Sequence, residues 1–384
     1  MDFTFTDEQQ MLREAVAGFL AARYDLEKSR SAVKTGAGGQ PEIWRGLAEL
    51  DILGVTLPER FGGMDGGPLE SMILAEELGR ALVVEPYVDT VVVGGGLLRR
   101  SGGERAERVL AEIPGGAVRI AFAALEPTSG ETRHDVSVTA RRDGDDWVLD
   151  GTKIAVTGVP LATHVIVSAR TSGERRDTDG ISLFLVEFDS SALPAGVEMH
   201  SYRTIDDRVG ADLVFSGFRL PADALLGAEG EAWQVIEAAV DEGIAAIASE
   251  AVGLMRKVLD DTVEYTKRRQ QFGVPIGSFQ VLQHRMVDMY IELEQSIAAA
   301  YLAAYAVHAD PIEPAERARS VSAAKVTIAR AARFVGQNAV QLHGAMGMTE
   351  ELAIGHYFKR LTAIEYEFGS GDDHLARYIA LTKP

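Results

Sequence analysis

No cysteine occurs in the 384 residues. That absence removes disulfide frameworks, thiolate nucleophiles, cysteine-held zinc and iron–sulfur clusters together. Positive charge is also short: 38 Lys and Arg face 57 Asp and Glu, for a formal net charge of −19. Such a balance argues against nucleic-acid binding, which rests on basic patches. A phosphorylated small molecule stays possible, because it needs only a few local cations. Long apolar runs are missing as well. None reaches the roughly 18 residues of a membrane span, and Val91–Leu98 is short and holds three glycines. The opening residues carry acids where a signal or transit peptide carries bases, so a soluble cytoplasmic protein is expected. The eight histidines are scattered singly, with no HExxH and no metal-ligand spacing around Asp372-Asp373-His374. A capped, solvated helix start is expected there.

What remains is globular in character. Hydrophobic residues make up 46% and charged residues 25%, which excludes a disordered chain. The length predicts two or three folding units, at roughly 100–200 residues each. Thr6 followed by Asp7, Glu8 and Gln9 reads as a helix N-cap, with Met11, Leu12, Val16, Phe19 and Leu20 at helical spacing. Helices are expected again over 42–51, 69–82 and 104–112. From about Ala117 the period shortens. Strands are expected at 118–124, 135–141, 147–149, 154–157, 164–169, 181–186 and 211–218, with a hairpin tip at Arg142–Asp146. Helix returns near Pro221, over 230–268, 279–308, 313–342 and 351–364, with a last short one near Asp372. The order α, then β, then α predicts an α+β multi-domain chain. Its parts are a helical domain (1–116), a small antiparallel β-barrel or sandwich (117–225) and a C-terminal four-helix bundle (226–384).

Three glycine-bearing segments carry possible chemistry. Val91–Gly96 suggests a dinucleotide turn, but Arg99 stands where that template needs glycine and no βαβ pattern surrounds it, so a helix interruption or tight turn is expected. In Tyr265–Gln280, Lys267, Arg268 and Arg269 end a helix that Phe272-Gly273 breaks. This suits either a dipole-complementing terminus or an arginine presented to a phosphate beside an aromatic cover. Gln341-Leu-His343-Gly344 is a second break, serving either as a C-cap or as a close approach to an anion.

Taken in order, five phrases resemble the acyl-CoA dehydrogenase family over essentially the whole chain. They are Phe3-Thr-Phe-Thr-Asp-Glu, Leu57-Pro-Glu-Arg-Phe-Gly-Gly63, Leu149-Asp-Gly-Thr-Lys153 with Thr157, Arg268-Arg-Gln-Gln-Phe-Gly273, and Gln341-Leu-His-Gly344. The resemblance implies FAD, an acyl-CoA substrate, an electron-transfer flavoprotein as acceptor, and a tetramer. It assigns the flavin to Leu125 and Thr128 in one turn, to Ala155 and to Thr157, whose hydroxyl would reach flavin N5. It also assigns Arg269, Phe272, Gln280, Gln341 and Gly344 to a neighbouring subunit's FAD. Leu125 stands where Thr is usual, and Ala155 where relatives often carry an aromatic residue. The implied reaction is α,β-dehydrogenation: a carboxylate takes the α-proton and the β-hydrogen leaves as hydride.

The base departs from the family pattern. One usual location falls on Phe368 or Gly369, neither of which takes a proton; the other falls on Gly243, directly after Asp241 and Glu242. Asp241 and Glu242 are therefore the candidate catalytic acids, with an exposed charge pair as the competing reading. Gly243, Glu250, Phe368 and Gly369 are candidates to line the acyl pocket. Phe368-Gly369 with His374-Leu375 resembles subunits of heteromeric acyl-CoA dehydrogenases, such as pimeloyl-CoA-type small subunits. Three expectations follow: a catalytic acyl-CoA dehydrogenase chain, a non-catalytic partner completing an α2β2 site, or a flavin oxidase or hydroxylase of the same fold.

Overall fold

The computed structural model describes residues 5–36, 38–309 and 311–383, so Phe3 and Thr4 of the first phrase lie outside the described residues. Helices α1 (Asp7–Arg23), α2 (Leu26–Lys34), α3 (Pro41–Glu49), α4 (Pro68–Arg80), α5 (Gly95–Ser101) and α6 (Glu104–Glu112) come first. Strands β1 (Ile120–Ala123), β2 (Thr139–Asp143), β3 (Asp146–Thr157) and β4 (His164–Arg170) follow. Next come β5 (Ile181–Glu187), β6 (Val197–Arg203), β7 (Val209–Leu220) and β8 (Leu225–Leu226). Helix α7 (Trp233–Arg268) leads through a minimal hairpin, β9 (Gln270–Gln271) and β10 (Val274–Pro275), into α8 (Gln280–His308). Helices α9 (Pro314–His343), α10 (Ile354–Tyr366) and α11 (Gly371–Thr382) close the chain. Among the described residues no helix is long and apolar enough to cross a membrane.

The chain divides into two compact units. One comprises Glu27–Gly66 and Val84–Gly243 and is built on an eight-stranded sheet, in the order β6-β7-β3-β2-β4-β5-β8 with β1 beside β4. Pairing is antiparallel except where β1 and β2 meet β4, because the chain leaves β1, makes the β2–β3 hairpin and returns in β1's direction. The hairpin tip falls where the sequence predicts it: Asp143 pairs with Asp146 around Gly144, whose φ is +66°. Trp147 and Phe184 meet edge to face at 5.2 Å in the sheet's apolar core.

Two features of this unit differ from the sequence expectation, and a third decides between two readings. The strands expected at 147–149 and 154–157 are one strand, β3, whose register slips between Leu149 and Gly151 and again between Lys153 and Val156. Strand β6 was not anticipated; it lies at the sheet edge with mostly exposed side chains, so it shows no buried alternation. Of the two readings of Val91–Gly96, the tight turn is absent and the helix interruption is what forms: a wide-turn helical segment, Val88–Gly94, runs into α5. Gly94 is there for close packing, since a Cβ would sit 2.8 Å from the Ile120 side chain.

The other unit comprises Met1–Leu26, Gly67–Val83 and Ile244–Pro384 and is helical. Helix α1 starts at the expected cap, with Thr6 Oγ1 accepting from the Gln9 N–H at 3.2 Å and Gln9 Oε1 from the Thr6 N–H at 3.0 Å. Helix α9 packs on α8, α10 and α11, its alanines 324, 331, 332 and 339 letting the axes approach. Helices α4 and α7 cross on two glycines. A Cβ on Gly253 would lie 2.0 Å from the Glu76 carbonyl oxygen, and one on Gly79 would lie 2.4 Å from that of Glu250.

Candidate active site

Within the sheet unit, the Ala124–Thr128 turn is fixed from beneath. Lys153 and Glu126 are wholly buried and paired, Nζ to Oε1 at 2.7 Å. The same ammonium donates to the Ala124 carbonyl at 3.1 Å and the Ser168 hydroxyl at 3.0 Å. Glu126 also accepts from the Ser137 and Val138 backbone N–H groups, at 2.8 and 3.1 Å, and from the Ser137 hydroxyl. Burial lowers the Lys153 pKa to about 8, with Glu126 opposing the fall and Arg170 adding to it. Burial acts to raise Glu126, but the Lys153 charge and these hydrogen bonds outweigh it and hold the carboxyl below its ordinary value. The Leu125 carbonyl accepts from the Ile154 N–H at 2.8 Å, bringing the turn beside β3.

On β3, two residues (Ile154 and Ala155) face one on β7 (Asp212), a bulge that re-aims the strand end. Ala155 is exposed and held at φ +52°, a conformation that favours glycine. Its N–H donates to Asp212 Oδ1 at 3.0 Å. Tyr202 donates to the same oxygen at 3.4 Å; burial, then the Asp212 charge, push its hydroxyl up to about 12. Thr157, half-buried at the strand end, makes no side-chain hydrogen bond among the described residues. Thr128 is exposed and accepts from Arg175.

The acids at the start of α7 are not a solvated pair. Asp241 is fully buried and Gly243 is buried beside it. Glu242 is held by two arginines of α5: Arg99 Nη2 reaches Oε1 at 2.7 Å, while Arg100 reaches Oε1 at 2.6 Å and Oε2 at 3.0 Å. A Cβ on Gly96 would meet Glu242 Oε2 at 2.5 Å, so glycine clears the space for this fork.

In the helical unit, the two glycine-bearing breaks are neighbours. Tyr265 stacks on His343 with centroids 4.2 Å apart, joining the end of α7 to the end of α9. Arg269, exposed, makes no ion pair among the described residues, whereas Arg268 lies 3.7 Å from Glu264. Phe272, at the hairpin tip with φ +55°, is 92% exposed. Gln280 begins α8 and Gln341 lies near the end of α9, both exposed. Gly344 has φ +60° and open space where a Cβ would stand.

The last turn before α11 is clamped. Arg360 pairs with Glu250 through Nε and Nη2, at 2.6 and 2.8 Å, and its Nη1 reaches Glu367 at 2.7 Å. Buried Lys325 donates to the carbonyls of Ile364 and Glu367. His374 Nε2 donates to the Phe368 carbonyl at 3.0 Å. Phe368 is thereby held at φ +60° and Gly369 at +110°. The expected cap is present, Ser370 with Asp373, but His374 is buried, not solvated. Glu250, a candidate to line the acyl pocket, is buried and bound to Arg360, a partner 110 positions away that was invisible in the sequence. Lys153 and Arg360 were also missed; the available signal was a lysine on an inward strand position, which demands a carboxylate.

Comparison with known proteins supplies the family. Models described as acyl-CoA dehydrogenase N-terminal, middle and C-terminal domains match residues 6–113, 121–216 and 230–379. The chain is 33% identical to acyl-CoA dehydrogenase FadE12 of Mycobacterium tuberculosis (strain ATCC 25618 / H37Rv), over 92% of this chain and 90% of that one. The chain belongs to the acyl-CoA dehydrogenase family. Butyryl-CoA dehydrogenase from Megasphaera elsdenii has the same fold, with TM-score 0.89 and 25% identity over 99% of both chains. The ChsE4–ChsE5 complex from Mycobacterium tuberculosis matches at TM-score 0.87 and 26% identity over 100% of both chains.

The protein is an FAD-dependent acyl-CoA dehydrogenase with the family's helical, β-sheet and helical domains. Residues of the sheet unit fit the flavin: an open methyl-lined strand end at Ala155 and, at Thr157, a hydroxyl uncommitted among the described residues. When bound, FAD supplies the two-electron acceptor of an α,β-dehydrogenation. The chain's own part is to hold the turn and bulge rigid from the Lys153–Glu126 pair. It also presents the Thr157 hydroxyl at the end of β3.

Proposed function

We propose that this dehydrogenase takes the α-proton with a carboxylate of the Asp241–Glu242 pair. Bound FAD would lie on Leu125, Thr128, Ala155 and Thr157. The observation that carries the flavin assignment is the β3 bulge, which leaves the Thr157 hydroxyl uncommitted beside an alanine that covers little. For the base, the Arg99–Arg100 fork orients Glu242, while Asp241 is fully buried. Anaerobic bleaching of bound flavin by an acyl-CoA is the test. Glu242→Gln or Asp241→Asn should slow bleaching by about a hundredfold or more, the scale of a lost general base. Unchanged rates in both variants overturn the base assignment.

Arg269, Phe272, Gln280, Gln341 and Gly344 complete the FAD site of a second subunit in this reading, within a cytoplasmic tetramer. Its support is the exposed apolar set Phe272, Val281, Val287, Tyr290 and Ile291, beside a cavity of about 690 Å³ lined by Leu259, Val263 and Met286. Electrons then pass to an electron-transfer flavoprotein. The substrate in this reading is a bulky acyl group, from fatty acid or steroid side-chain catabolism, which the exposed methyl of Ala155 leaves room for. Bleaching by a panel of short, long, dicarboxylic and steroid-like CoA thioesters tests that choice.

One observation favours a second reading, an α2β2 assembly in which a homologous subunit supplies the base. Glu242, Glu250 and Glu367 are all arginine-bound, and Phe368 and Gly369 carry no carboxylate. Robust turnover by the isolated chain rules that reading out.

A further inference from the structure

We propose that Lys153 is a positioning residue for the flavin: through its three hydrogen bonds it fixes the Ala124–Thr128 turn against the bulged end of β3. The inference rests on the assignment of Leu125 and Thr157 to the flavin ring. An ammonium has three N–H donors. Lys153 spends them on three acceptors, the Ala124 carbonyl, Glu126 Oε1 and the Ser168 hydroxyl, at 3.1, 2.7 and 3.0 Å. Two of these belong to the turn and the third to β4, while Lys153 itself sits on β3 two residues before Ala155. Glu126 extends the clamp to Ser137 and Val138. Four chain segments thus meet at one nitrogen and its carboxylate, both with no exposed side-chain surface. A buried pair of this kind is weak support for stability but a strong constraint on geometry, and geometry is what a flavin-contacting turn requires.

The clamp has a protonation requirement. A neutral amine keeps two N–H donors, so loss of the proton leaves one of the three acceptors without its hydrogen bond. Burial brings that loss to about pH 8. The charged groups facing Lys153 are Glu126 from the turn and Arg170 from β4, and Arg170 is itself faced by Asp135 and Asp177.

The holoprotein tests this without turnover. Visible circular dichroism of bound FAD, followed from pH 6.5 to 9.5, should change with an inflection near 8. Ser168→Ala, which removes one acceptor and no charge, should shift that inflection. Lys153→Met should abolish it and raise FAD dissociation about tenfold, the scale at which outer supports of a bound group act. Lys153→Met paired with Glu126→Gln serves if the single variant does not fold. A wild-type flavin spectrum and FAD affinity in these variants, whatever happens to apoprotein stability, overturn the proposal. Thr157→Ala separates the two failures. If it leaves the flavin spectrum unchanged, the underlying assignment is wrong; if it alters the spectrum while Ser168→Ala and Lys153→Met do not, only the Lys153 inference falls.

Discussion

Arg360 grips Glu250 with two prongs, Nε to Oε1 at 2.6 Å and Nη2 to Oε2 at 2.8 Å, and both side chains are at least 94% buried. A bidentate pair in such surroundings aims its members, and here it joins α7 to α10 just ahead of the strained Phe368–Gly369 turn. The third guanidinium nitrogen reaches Glu367, so one cation sets the position of two carboxylates.

Removing one partner strands a buried charge. Glu250→Gln or Arg360→Met should therefore destabilise the apoprotein by about 3–5 kcal/mol in urea unfolding. The double variant Glu250→Leu with Arg360→Met should recover most of the loss, because apolar replacement of both members is close to neutral. A double variant as unstable as the worse single one would show that the pair is not the unit of stability.

Two glycines of helical segments should respond in opposite directions. Gly253 faces the Glu76 carbonyl at a distance that admits no Cβ, so Gly253→Ala must push α4 and α7 apart, at a cost of about 1–3 kcal/mol or more. Gly18, exposed in α1, has nothing within 4 Å of its Cβ position. There Gly18→Ala should stabilise by about 0.5–1 kcal/mol through helix propensity alone. Thermal unfolding of the two variants side by side checks both signs.

How much of this was legible follows from where each signal is stored. Helix α6 and the start of α1 were readable because caps and apolar period are local. Edge strand β6 was not, since only Val197 and Met199 at its start meet the core and the rest of its side chains are exposed. The glycines of Val91–Gly96 carried no readable signal because each serves packing: Gly94 clears Ile120, 26 positions away (120 − 94), and Gly96 clears Glu242, contacts that no local pattern records. The same distance problem hid the partners of Glu250 and Glu242, which lie 110 and 142 to 143 positions away. Composition could say that a carboxylate amid Ala, Ile and Val needs a partner, but not which one.

Glu85 predicts a pH dependence. Burial raises its pKa from 4.5 to about 7, against the hydrogen bond it accepts from the Gln40 N–H at 2.8 Å; its Oε2 is buried with no partner among the described residues. Between those two values the folded state holds the proton more tightly than the unfolded chain does. This group's contribution is therefore most favourable below pH 4.5 and falls as pH rises to about 7, by about 3 kcal/mol in all. Glu85→Gln should remove that part of the slope, seen as a flatter stability curve between pH 5 and 8 in urea titrations. An identical slope in both proteins would reassign the pH dependence to another group.

Phe272 gives the prediction that bears on assembly. At 92% exposure the ring contributes almost nothing to its own subunit beyond an edge contact with Phe279, centroids 6.2 Å apart. It also occupies a positive φ that a bulky side chain adopts only at some cost. An aromatic group presented this way at a hairpin tip gains only by being covered. Phe272→Asp should leave monomer unfolding within about 0.5 kcal/mol of wild type, as surface changes do. In sedimentation velocity it should shift the protein towards smaller species, and with them lower FAD retention. Unaltered sedimentation and cofactor content would exclude the hairpin from the subunit interface.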